Sequence, residues 1–377
     1  MRISMAIAAL AVAFPAWPQD RLGDALRGSR LFEQHGCVVC HSINGVGGSG
    51  APDLARRPSR EFAPSTLAAS LWNHGPAMWR AMAARNLPAP KLEPAEVADL
   101  FAYFHALRYF DPPGDAARGK DVFLSARCSS CHASEGGLGP PVSKWRATTD
   151  PVQWAQQMWN HTGAMTREAR RVGIRWPQLS VQQLVDLMVY VQNLPGARLD
   201  PPSLRFGDPV NGARLFELQG CTRCHTVGEP ASSGRIDLLG RTRRFHTLTE
   251  FAVAMWNHAP KMRRRAERLS ADILPFNGDE MSDLLAYLFE KGLFQERGDA
   301  GRGARIYRSR NCAACHDAGE GGAPALAPLR GRFSALFLTS ALWKHGPQML
   351  AEMEKRGKKW PSFTGSEMAD LIAHLNR

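Results

Sequence analysis

Apolar residues along the chain recur at three- and four-residue steps, and no stretch keeps the two-residue alternation of a half-buried strand, so the pattern predicts helices throughout. Three kinds of helix return in the same order. The first carries a glycine and, four residues later, an aromatic: Gly28 and Phe32, Gly119 and Phe123, Gly212 and Phe216, Gly303 and Tyr307. Residues four apart share a helix face, and the bare glycine lets another helix approach closely beside the ring. The second kind holds Trp72-Asn73-His74 with Met78, Trp159-Asn160-His161 with Met165, Trp256-Asn257-His258 with Met262, and Trp343-Lys344-His345 with Met349. A Gly or Pro between the histidine and the methionine predicts a break there and a new helix beyond it. The third kind is the partner of the first: Glu96 to Tyr103, Leu184 to Tyr190, Glu280 to Tyr287 and Glu367 to His374 each carry an apolar stripe.

The chain thus reads as a fourfold repeat of one all-helical unit, with boundaries at 22–112, 113–200, 201–296 and 297–377. Pro112-Pro113, Pro201-Pro202 and the glycines around Gly298 and Gly301 mark the linkers. Ahead of the repeats, residues 1–18 read as a secretory signal: Arg2 in a basic start, then the apolar run Met5 to Phe14, too short for a stable span. Cleavage fits after either Ala13 or Ala16, and an uncleaved N-terminal anchor is the alternative. No later apolar run approaches spanning length, so no stable membrane span is expected in the mature chain.

Composition adds limits. With 377 residues, 44% hydrophobic and 22% charged, the chain is neither a disordered polymer nor a polytopic membrane protein. A formal charge of +12 by itself points to nucleic acid, an anionic surface or an acidic protein partner.

All eight cysteines stand in one motif: Cys37-Val-Val-Cys40-His41, Cys128-Ser-Ser-Cys131-His132, Cys221-Thr-Arg-Cys224-His225 and Cys312-Ala-Ala-Cys315-His316. The first cysteines, at 37, 128, 221 and 312, are 91, 93 and 91 residues apart. An exported chain makes disulfides the default, but disulfides leave the four histidines unexplained. A redox-active dithiol needs neither the histidine nor four copies, and a zinc site would have to draw on two separate repeats. Covalent haem attachment uses every residue: each thiol bonds a vinyl-derived carbon and the histidine ligates iron from the same turn.

Each repeat resembles a class I cytochrome c domain, over about residues 22–377. The shared features are Gly-x-x-x-aromatic on the first helix, Cys-x-x-Cys-His, a middle helix, and a last helix ending near Ala-Tyr. The resemblance implies four c-type haems with His41, His132, His225 and His316 as proximal ligands, each oriented by a backbone carbonyl at a Pro turn. Pro52, Pro140 and Pro324 mark that turn, whereas Gly234-Arg235-Ile236 departs from it. The family's distal methionine precedes a proline before the last helix, but Leu87, Trp176, Leu274 and Trp360 stand there instead. Met78, Met165, Met262 and Met349, 33 to 37 residues after the proximal histidines, are then the favoured distal ligands, with His74, His161, His258 and His345 as the alternative. The tryptophans Trp72, Trp159, Trp256 and Trp343 either meet a haem edge or fill the core. His35, His105, His246 and His374 do not recur and read as structural, and Met82 and Met353 as core fillers.

Two axial ligands on each iron leave no open position, which favours an outer-sphere electron carrier between a redox donor and acceptor. A peroxidase or small-molecule reductase with one open haem is the competing class, and a sensor with a displaceable methionine a third. About eight ionised propionates would bring +12 down to roughly +4, which removes the reason to invoke nucleic acid. Arg263-Arg264-Arg265 and Lys355-Arg356 read as a solvated helix face or as docking points for an acidic redox partner.

Overall fold

The computed structural model describes residues 23–54, 64–107, 111–198, 207–228, 234–240, 245, 247–270, 274–294, 297–317, 319 and 322–377. The expected export signal, the Pro201-Pro202 seam, His246 and the side chain of His105 lie outside them.

The molecule is all-α. The first helices are α1 (Ala25–Gln34), α4 (Ala116–Ser125), α8 (Pro209–Leu218) and α11 (Ala300–Ser309), and each begins where an aspartate, Asp24, Asp115, Asp208 or Asp299, accepts hydrogen bonds from first-turn N–H groups. The last helices are α3 (Pro94–Ala106), α7 (Val181–Gln192), α10 (Glu280–Glu290) and α14 (Gly365–Leu375). First and last helices pair within each repeat. They cross where the spacing predicted: a Cβ on Gly28, Gly119, Gly212 or Gly303 would run into the backbone carbonyl of Asp99, Asp186, Asp283 or Asp370.

The carboxylate of that same aspartate locks the crossing. It accepts from the backbone N–H of the capping residue, at 2.6 Å for Asp24 on Asp99 and 2.8 Å for Asp115 on Asp186. It also takes a two-pronged bond from Arg27, Arg118 or Arg302, or from Asn211 in repeat 3 a single one.

The middle helices are α2 (Pro64–Ala83), α6 (Pro151–Arg171), α9 (Leu248–Arg268) and α13 (Ala335–Lys355). They run straight through the positions where a break was expected, with Pro76, Pro260 and Pro347 inside. In α2 and α9 the reason is a substitute donor. Pro76 has no N–H for the Trp72 carbonyl four residues back, and the indole Nε1 of Trp360 donates to it at 3.0 Å. The Trp256 carbonyl, orphaned by Pro260, is met in the same way by Trp176 Nε1 at 3.1 Å.

Between first and middle helices the repeats alternate. In repeats 1 and 3 the haem motif begins on a 3-10 turn, followed by two-residue strands: β1 (Ser42–Ile43) with β2 (Val46–Gly47), antiparallel, and β3 (His225–Thr226) with β4 (Ile236–Asp237), parallel. In repeats 2 and 4 the motif forms a helical turn, α5 (Ser129–His132) and α12 (Ala313–His316). The glycine-rich seam at Gly298 and Gly301 is not a free linker: Gly301 lies in α11, and a Cβ on Gly298 would strike the Ala369 carbonyl of α14.

The repeats pair first with last and second with third. α2 packs on α13 and α14, and α13 on α3, so repeat 1 clasps repeat 4; α6 packs on α9 and α10, and α9 on α7, so repeat 2 clasps repeat 3. The two pairs meet in one apolar cluster that takes Leu67 and Phe101 from repeat 1, Val152 and Trp159 from repeat 2, and Phe216 and Leu285 from repeat 3. A buried bond from Thr249 Oγ1 to Asp111 Oδ2, 2.6 Å, reinforces it. Among the described residues no helix is long and apolar enough to cross a membrane.

Candidate haem sites

A tight turn holds the two cysteines and the histidine of each motif. His41 N–H donates to the Cys37 carbonyl at 2.9 Å, and His132 and His316 repeat the bond to Cys128 and Cys312 at 3.0 Å. The eight thiols are free. Burial pushes Cys37, Cys128, Cys221 and Cys312 up to about 11, so each presents a protonated thiol to an apolar wall. That is the group needed to add across a vinyl substituent, sulfur to one carbon and hydrogen to the other.

The imidazoles are oriented as an iron ligand must be. Nδ1 of His41 donates to the Pro52 carbonyl at 2.9 Å, His132 to Pro140 at 2.8 Å and His316 to Pro324 at 2.9 Å. A carbonyl only accepts, so the proton sits on Nδ1 and Nε2 keeps its lone pair for a metal. Gly139 shapes the cradle, since a Cβ there would collide with the His132 ring. The residues present therefore fit a c-type haem, which supplies the redox-active iron when attached. Among the described residues no three His, Cys, Asp or Glu side chains gather as a bare metal site, so zinc gains nothing from the fold.

Repeat 3 departs as its sequence suggested. Ile236 follows His225 by 11 residues, as Pro52 follows His41. It keeps an N–H that bonds the Cys224 carbonyl at 2.8 Å. Its own carbonyl stands beside the His225 ring, but His225 Nδ1 lies outside hydrogen-bonding geometry. Burial, and secondarily the nearby His258, lowers the proton affinity of that ring.

The middle helix divides its recurring pattern between two jobs. At about 3.6 residues per turn, Trp72 shares a face with Pro76 and Trp79, while His74 and Met78 share another. The tryptophan and asparagine turn to the partner repeat. Trp72 Nε1 donates to the Pro361 carbonyl at 2.7 Å, and Trp256 Nε1 to Pro177 at 2.9 Å. Asn73 takes both backbone groups of Phe363, at 2.8 and 2.9 Å; Asn160 does so with Phe276 and Asn257 with Leu179. The tryptophan-proline loops of repeats 2 and 4 therefore serve as docking edges for the partner repeat.

Met78 lies in the apolar cluster of Cys37 and Met262 in that of Cys221; Met165 lies in a separate cluster with Val122, Ala126 and Trp256, and Met349 is half-buried. His74, His161, His258 and His345 are exposed. His74 Nδ1 donates to the Ser70 carbonyl at 2.8 Å and His161 Nδ1 to Gln157 at 2.7 Å, so their Nε2 atoms also keep a lone pair. His35 pairs with Glu96 at 3.3 Å, and His374 packs on Tyr307 with ring centroids 5.2 Å apart, both structural.

Arg263 is not on a solvated face. It crosses to repeat 2, where Nε donates to Thr162 Oγ1 at 2.8 Å and Nη2 to the Trp159 carbonyl at 3.1 Å, with the guanidinium 5.6 Å from the Trp159 ring centroid. Arg264, Arg265, Lys355 and Arg356 are exposed, the last two paired with Glu352.

Residues 25–108 and 116–195 match the family model described as Cytochrome c, and residues 298–375 match that described as Cytochrome C oxidase, cbb3-type, subunit III. No curated protein and no solved structure matches the chain. The matched stretches enclose the turns of His41, His132 and His316. By site geometry and by these matches together, the chain carries domains of the cytochrome c family and, with them, the means of haem-based electron transfer.

Proposed function

We propose that this is an exported tetrahaem c-type cytochrome, four tandem haem domains that carry electrons between a donor and an acceptor by outer-sphere transfer. The observation that carries the reading is the repeated turn: two free thiols and an imidazole whose Nδ1 is tied to a backbone carbonyl, found at His41, His132 and His316 and in looser form at His225. Cys37 and Cys40, Cys128 and Cys131, Cys221 and Cys224, and Cys312 and Cys315 would hold the haems. His41, His132, His225 and His316 would be the proximal ligands.

Met78, Met165, Met262 and Met349 are the proposed distal ligands, supported in repeats 1 and 3 by the place of Met78 and Met262 in the apolar cluster of the attachment site. The second reading, His74, His161, His258 and His345, draws support from the tied Nδ1 and free Nε2 of His74 and His161. Both readings fill the sixth position and predict a carrier, and methionine raises the potentials relative to histidine. A sulfur-to-iron charge-transfer band in the oxidised protein is expected, and its absence would assign the histidines.

The carrier role is tested by carbon monoxide added to the reduced protein. No spectral change is expected, and tight binding at one haem would move the reading to a haem enzyme.

A further inference from the structure

The two interfaces between repeats are built from indoles, and between repeats 1 and 4 one of them joins the apolar clusters of both attachment sites. Trp72 packs against the apolar cluster of its own site, with Phe32, Cys37 and Val38, and also against that of repeat 4, with Tyr307, Cys312 and Ala313. It stacks on Trp360 at a centroid distance of 4.9 Å. Trp79 stands edge-on to Trp360 at 5.6 Å and to Trp343 at 6.1 Å. Between repeats 2 and 3, Trp176 and Trp256 lie 4.3 Å apart beside Met165, while Trp159 shares the cluster of Cys221 and Met262. Among the described residues, the ring contacts that span two repeats belong to these two pairs.

We propose that electrons exchange fastest within the pairs 1 with 4 and 2 with 3, across these indoles, and not between repeats 1 and 2 or 3 and 4. The proposal rests on the tetrahaem reading. Tunnelling favours gaps filled by close-packed matter, and the stacked pair Trp72 and Trp360 and the tilted pair Trp176 and Trp256 supply it. One electron leaves the iron of one repeat and arrives at the iron of its partner; the indoles are neither oxidised nor deprotonated on the way. The chain folds back so that its first and last repeats meet, and each pair joins an odd repeat to an even one, so its two sites are unlike.

Two measurements on the full-length holoprotein test it. Zero-length carbodiimide coupling should join Lys344 to Glu93, an ion pair 2.6 Å apart across repeats 4 and 1, and loss of that product would overturn the pairing. Exchange spectroscopy of partly reduced protein, with haem methyl resonances assigned from variants that each lack one cysteine pair, should show cross-peaks linking repeats 1 and 4 and repeats 2 and 3. Four haems with exchange fastest between 1 and 2 and between 3 and 4 would overturn the proposal alone. A haem count below four would overturn the tetrahaem reading and the pair that lost its haem. Joint Trp72→Leu and Trp360→Leu replacement should abolish the exchange between repeats 1 and 4 while leaving that between 2 and 3; unchanged exchange with the Lys344–Glu93 product intact would remove the indoles from the route.

Discussion

At the residue scale the strongest constraints are polar groups placed in apolar surroundings. Asp150 caps α6, is buried, and has its carboxyl pushed up to about 6, chiefly by burial, against the pull of the Val152 and Gln153 N–H groups. Folding therefore takes up a proton between about pH 4, the ordinary carboxyl value, and about 6, and stability falls as pH rises through that window. Asp150→Asn keeps a capping side chain and should flatten that slope in thermal melts across pH, with a higher melting temperature than the parent at pH 7; an unchanged slope would count against it. Asp186 has the opposite sign. Burial works to raise it, but the bonds from Arg118, Gln182 and the Asp115 N–H outweigh that and hold its carboxyl below the usual range. Its stabilisation is complete above the ordinary carboxyl pKa and is lost as pH falls through the lowered value.

The histidine turns were legible through the family resemblance, which implied a carbonyl at a Pro turn, and each ring meets it at Pro52, Pro140 or Pro324. The Asp–Arg locks were not read, although Asp99, Asp186, Asp283 and Asp370 stand at one step in every last helix. A polar residue in an amphipathic helix looks solvated until the crossing that buries it is known.

At the element scale, helix type and order followed from periodicity, and the crossing glycines were located correctly. Gly119→Ala would drive a Cβ into the Asp186 carbonyl and should cost about 1–3 kcal/mol by denaturant unfolding, with loss of less than that contradicting the close approach. The expected breaks in the middle helices failed for a physical reason. Proline disrupts a helix by orphaning a carbonyl, and here a tryptophan about 80 or 288 residues away in the chain satisfies it. No local pattern contains that information. Trp360→Phe keeps the ring and removes the donor, so the Trp72 carbonyl should go unmet at a cost of about 1–3 kcal/mol, read by thermal unfolding. Asn73→Ala strips both bonds to Phe363 and should cost a similar amount; a neutral effect of both changes would show that the clasp contributes little.

At the scale of the whole molecule, four repeats were visible in the cysteine spacing, but their arrangement was not. Pairing 1 with 4 and 2 with 3 depends on tryptophan, asparagine and loop contacts whose partners lie far apart in sequence. The alternation of odd and even repeats did leave a trace: the histidine of the Cys-x-x-Cys-His motif precedes the methionine by 37, 33, 37 and 33 residues, from His41, His132, His225 and His316. The surface charge belongs to this scale as well. With Arg263 withdrawn into an interface, Arg264 and Arg265 remain exposed; docking of an acidic redox partner there predicts that added salt slows electron transfer, whereas a merely solvated face predicts no such loss. The claim beneath all of this is that each of the four turns holds a haem. Intact mass of the protein matured in a host with c-type haem attachment tests it directly: the polypeptide plus four haems is the result predicted, and a mass short of four would contradict it.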